Sequence, residues 1–219
     1  MTDRAVLARE IAEARRSLVS TLESLRPGDW EAPSLCSEWA VRDVVAHLIH
    51  EYELYRAPYL LFGLLRHGFR VNRYLSAEAR RLASSRPIAD LTAELEGAEF
   101  EQTRVWKRYT WPVFALSEFV IHAQDIRRPL AITDKPSINQ LRIVADVFAR
   151  PPRTNPFTGV FMTKLPKTRF EATDADWSFG EGSVVRGSLE AIVMVLAGRG
   201  QALTGLSGEG VDRLREVLG

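Results

Sequence analysis

Glu118-Phe-Val-Ile-His-Ala-Gln-Asp125 sets three ionisable side chains, four and three residues apart, into an apolar background. On a helix, positions four apart are rotated by roughly 40° and positions seven apart by about 20°, so Glu118, His122 and Asp125 share one stripe. Phe114, Ala115, Phe119, Ile121 and Ile126 surround that stripe, and Ser117, Gln124, Arg127 and Arg128 fall on the opposite face. Pro112 opens the segment at a favoured first-turn position, and the spacing predicts a helix over 112–128. Ionisable groups on an apolar stripe are costly unless they pair or bind a metal. A carboxylate and an imidazole one turn apart suit zinc or nickel, and they equally suit a buried hydrogen-bonded pair. Spacing alone leaves both readings open.

Working outward, apolar residues recur with helical period over 3–25 (Leu7, Ile11, Leu18, Leu22, Leu25) and 39–55 (Val41, Val44, Val45, Leu48, Tyr52, Tyr55). Further helices are expected over an irregular 58–85, then 88–108 and 137–149, stopped by Arg150-Pro-Pro152. The texture then changes. Thr168-Arg-Phe-Glu-Ala-Thr173 and Trp177-Ser-Phe179 alternate like strands, 187–198 reads as a buried helix ended by Gly198, and a short helix over 210–218 closes the chain. The expected architecture is α+β, with a helical bundle over 1–150 and a small α+β domain over 151–219.

Two ligands from one helix need a third from elsewhere. The remaining histidines are His47, His50 and His67. His47 flanks the second helix beside Val44, Glu51 and Leu54. His50 falls almost opposite the apolar stripe and reads as solvated, and His67 lies in a stretch that cannot be oriented. His47 is therefore the best partner, giving a His47/Glu118/His122 set. Three protein ligands leave a fourth position for water or substrate, as catalytic metal sites do. Asp125 would orient a ligand or handle a proton.

Composition narrows the setting. The formal charge is +1 over 29 basic and 28 acidic residues, which argues against nucleic acid as an obligate partner. The single cysteine, Cys36, excludes an intramolecular disulfide and a cysteine-based zinc knuckle. It reads as a small packed residue rather than a reactive thiol. The apolar run Tyr59–Leu65 is too short to span a bilayer and no signal peptide stands out, so no membrane partner and a cytoplasmic location are expected. The apolar 58–69 stretch leaves monomer and homodimer both open.

The run Leu35-Cys-Ser-Glu-Trp-Ala-Val-Arg-Asp-Val-Val-Ala-His-Leu48 resembles the first signature of the mycothiol-dependent maleylpyruvate isomerase family, and Glu118–Asp125 resembles its second, Glu-x-x-x-His-x-x-Asp. Trp177, Val185-Arg-Gly-Ser-Leu-Glu-Ala191 and Leu196-Ala-Gly-Arg199 are similar to its sterol-carrier-like C-terminal domain. The resemblance implies a DinB-like four-helix bundle. It also implies a divalent metal, usually Zn2+, on His47, Glu118 and His122. The implied thiol cofactor is mycothiol, the actinobacterial counterpart of glutathione. Arg199 would then bind substrate or thiol-cofactor oxygens, although an arginine at a helix end is also explained by the helix dipole. Where the family often has Thr, this chain has Ala40, so Ser37 is expected to cap the second helix a turn earlier. The implied activity is thiol-dependent isomerisation or S-transfer on a small electrophile. The competing expectations are a non-catalytic metal- or ligand-binding module, and a metal-dependent hydrolase with Asp125 as base.

Overall fold

The computed structural model describes residues 3–56, 71–100, 112–149 and 165–219. Tyr59–Leu65 and His67 lie outside them. The chain is α+β and divides into two compact units, Met1–Thr133 and Asp134–Gly219.

The first unit is helical: α1 (Arg4–Glu23), a 3-10 turn (Pro27–Glu31), α2 (Val41–Arg56), α3 (Val71–Ser85), α4 (Ile88–Glu96) and α5 (Pro112–Arg127). Asp3 caps α1 by accepting the amide of Ala5, and the predicted stripe of Leu7, Ile11, Leu18 and Leu22 is buried. Val41, Val44, Val45 and Leu48 bury the inner face of α2 completely. The Ser37 cap is corrected. The helix begins at Val41, and it is Asp43 whose carboxylate accepts the amide of Ala40, the returning half of a capping box. The helix expected over 88–108 stops at Glu96, because Gly97 takes the C-cap and the chain turns through Ala98 and Phe100.

Helix α5 also departs from expectation. Ser117, Gln124 and Arg127, assigned to a solvated face, are 3%, 3% and 1% exposed. Neighbours on several sides account for this. Arg127 reaches α1, donating to Ser17 O and Oγ at 2.8 Å and to Thr21 Oγ1, while His122 faces His47 of α2 and the Phe119 ring meets Phe100 edge-on. His50 is likewise buried rather than solvated, at 6% exposure, with its ring against Tyr74.

The second unit contains α6 (Ile138–Phe148), β1 (Thr168–Ala172), β2 (Ser178–Phe179), β3 (Ser183–Gly187), α7 (Leu189–Leu196), a 3-10 turn (Gly200–Gly205), β4 (Leu206–Ser207) and α8 (Val211–Leu218). The boundary expected at 150 therefore moves to 133/134. Helix α6, opened by the Ser137–Gln140 capping box, packs on α7 and belongs with the sheet. The sheet order is β2-β1-β3-β4, with β1 and β3 parallel and both outer pairs antiparallel. Phe170 opposite Val185 supplies its buried face, against the wholly buried α7.

Gly180 lies in the turn from β2 to β3 at φ +87°, and a Cβ there would collide with the Thr168 carbonyl oxygen. Gly180→Ala should therefore destabilise the second unit by at least ~1–3 kcal/mol, the usual cost of a side chain in this region of backbone space. Chemical denaturation followed by far-UV circular dichroism checks it, and an unchanged midpoint would contradict the geometry.

Candidate metal centre

Helices α2 and α5 carry the site. His47 projects from the second turn of α2, and Glu118 and His122 from consecutive turns of α5. The three offer ligand atoms that all lie within 4.8 Å of one another. His47 Nε2 is 3.3 Å and His122 Nε2 3.0 Å from the same oxygen, Glu118 Oε2. Tetrahedral bonds of ~2.0–2.1 Å place ligand atoms about 3.3 Å apart, so these separations suit a single ion. The rings of His47 and His122 meet nearly perpendicularly at 5.0 Å, and Trp39 stacks obliquely on His47 at the same distance, walling one side.

A second layer fixes the ligands. His122 Nδ1 lies 2.8 Å from Asp125 Oδ2, which also accepts the Cys36 thiol at 3.0 Å. With Nδ1–H committed to Asp125, the lone pair of a neutral His122 is directed through Nε2 toward Glu118, the arrangement typical of carboxylate-oriented metal histidines. The Leu35 amide donates to the Asp125 carbonyl, so the loop before α2 is tied to α5 beside the site. Sequence reasoning had Cys36 as a packing residue and did not connect it with Asp125. Its place in the motif-bearing loop, five residues before the start of α2, was the available signal.

Burial opposes ionisation of Glu118, but hydrogen bonds from His122 and His47 outweigh it and hold the carboxyl well below its usual range. Burial also works against a charged His122. The Cys36 sulfur, Asp125 and Glu118 together overcome it and lift the imidazole well above its ordinary value. These contacts favour the form of His122 protonated on both nitrogens, and an ion taking Nε2 must displace one proton. Apparent metal affinity should rise about tenfold per pH unit between about pH 6 and 7. Competition against a chelator measures this, and a flat profile would mean that Nε2 carries no proton to displace.

Of the residues expected from sequence, the structure brings together His47, Glu118, His122 and Asp125. Arg199 belongs to the second unit, at the end of α7, where its Nη1 donates to the Ala197 carbonyl at 2.7 Å. His67 lies outside the described residues.

The family model described as the mycothiol maleylpyruvate isomerase N-terminal domain matches residues 11–127, more than half of the chain. The chain belongs to that family. The match spans both ligand-bearing helices of this mycothiol maleylpyruvate isomerase-type domain. Two solved structures share the fold over 95% of this chain and 93% of theirs. One is the mycothiol-dependent maleylpyruvate isomerase, at TM-score 0.60 and 13% identity, and the other a histidine-to-alanine variant of it, at 0.62 and 14%. No curated protein matches the chain. Among the described residues, no helix is long and apolar enough to cross a membrane.

Proposed function

We propose that the protein is a metal-dependent enzyme that uses a low-molecular-weight thiol, mycothiol, to isomerise or conjugate a small electrophile. The observation that carries this reading is the convergence of His47 Nε2, Glu118 Oε2 and His122 Nε2, with Asp125 bracing the far side of His122. Two imidazoles and one carboxylate fit zinc, and three donors leave room for an exogenous ligand. Family membership supports the thiol cofactor.

His47, Glu118 and His122 would hold the ion, whose contribution is to favour the thiolate, the nucleophilic form, of a thiol bound beside it. The remaining work falls to the chain. Asp125 keeps the Nδ1 proton on His122 and fixes the plane of its ring. Trp39 covers one side of His47 and limits water there. The thiolate adds to an electrophilic carbon. Departure of the sulfur after bond rotation restores the double bond and gives isomerisation, while retention of the sulfur, with the carbanion of the adduct taking up the proton the thiol released, gives an S-conjugate. Arg199 is assigned to substrate or thiol-cofactor oxygens by the Leu-Ala-Gly-Arg resemblance.

The test is to assay the zinc-loaded protein on maleylpyruvate, the substrate named for its structural relatives, with and without mycothiol. A broader panel of small unsaturated electrophiles would follow. Turnover or conjugation that needs both zinc and the thiol supports the reading. Thiol-independent hydrolysis would favour a hydrolase, and metal binding with no thiol-dependent reaction on any electrophile a binding module.

A further inference from the structure

Glu51 stands beside the donor set, and the roles assigned above make no use of it. It follows His47 by one turn of α2, is 8% exposed, and places Oε1 3.9 Å from His47 Nε2. Its other oxygen, Oε2, is buried without a hydrogen-bond partner among the described residues. Glu51 falls outside the group whose ligand atoms all lie within 4.8 Å of one another. Donors to one zinc ion stand no more than about 4.2 Å apart, so Glu51 as placed borders the ion position without completing the set. A buried polar oxygen that the described residues leave without a partner is unusual in folded proteins, and beside a set of converging ligand atoms it points to a partner that arrives with the ligand.

We propose that Glu51 is the hydrogen-bond partner of the small thiol that enters the position left by His47, Glu118 and His122. The inference rests on the thiol-dependent reading of the site. It assigns Glu51 to binding the thiol sulfur rather than the ion. A carboxyl at this position donates to a thiolate or accepts from a thiol, and Trp39, on His47 beside it, offers only an indole face and one N–H.

Wild type, Glu51→Gln and Glu51→Leu are loaded with Co2+ and titrated with β-mercaptoethanol, reading the near-ultraviolet thiolate-to-cobalt absorption. All three proteins are expected to take up cobalt equally. The Leu variant should bind the thiol at least about tenfold more weakly, the loss of one charge-assisted hydrogen bond. The Gln variant, which keeps an N–H donor, should stay within about threefold of wild type, and this rescue separates hydrogen bonding from packing. Equal thiol affinity in the Leu variant and wild type overturns the role of Glu51 alone. Loss of cobalt from a folded Leu variant overturns it too, by making Glu51 a ligand. A cobalt-loaded wild type without any thiol band removes the thiol-dependent reading together with this inference, and a wild type that takes no cobalt removes the metal centre itself.

Discussion

Purified His122→Ala should contain no stoichiometric metal where the wild type holds about one ion per chain. The substitution removes Nε2, one of three converging donors, and leaves His47 and Glu118 3.3 Å apart with no third arm. It also removes the group that Asp125 and Cys36 are arranged to brace. The loss of affinity should exceed the ~10–100-fold cost of deleting an outer hydrogen-bond partner. Asp125→Asn, which keeps an acceptor for Nδ1–H but no charge, should fall within that smaller range. Mass-spectrometric metal analysis after dialysis against a weak chelator separates the two. Full metal retention by a folded His122→Ala protein would show that Glu118 and His122 are core structure.

Phe119→Ala should be the most destabilising of the simple truncations, by ~3–5 kcal/mol. The ring is 0% exposed, sits at the middle of α5, and meets Phe100 at 5.3 Å nearly edge-on, while Phe100 in turn packs on Tyr52 of α2. Truncation deletes that aromatic contact and opens a void in a helix hemmed in by α1 and α2, where little can relax inward. Urea unfolding, followed by tryptophan fluorescence in a Trp177→Phe background so that the signal comes from the first unit, should show the midpoint falling sharply. A shift worth under about 1 kcal/mol would mean that the cavity collapses or fills.

Local signals and their limits explain which elements could be read from the chain. Helix α1 announces itself by a period-3.6 stripe and by the Arg-Pro-Gly-Asp break after it, and α5 by Pro112, so both boundaries fall within two residues of expectation. The His47, Glu118, His122 and Asp125 cluster was readable because polar residues on apolar faces are conspicuous. The sidedness of α5 was not. A two-faced reading presumes that a helix meets water on one side, and Arg127 is instead satisfied by Ser17 and Thr21 more than a hundred residues away in sequence. Glu51 and Cys36 were hidden as well. Cys36 acquires its chemistry from Asp125 on another element, and Glu51, read beside His47 on the same helix, gave no sign in sequence that one of its oxygens is buried without a partner among the described residues. The boundary at 133 was concealed because α6 has a helical pattern like those of the first unit, and only its packing on α7 assigns it to the sheet.

The Cys36–Asp125 brace and every atom of the donor set come from residues 36–125, inside the first unit. Residues 134–219 contribute no atom to that set. On the proposed reading, the metal half of the chemistry is therefore encoded in one contiguous block of chain, and a substitution confined to residues 134–219 leaves every donor atom in place.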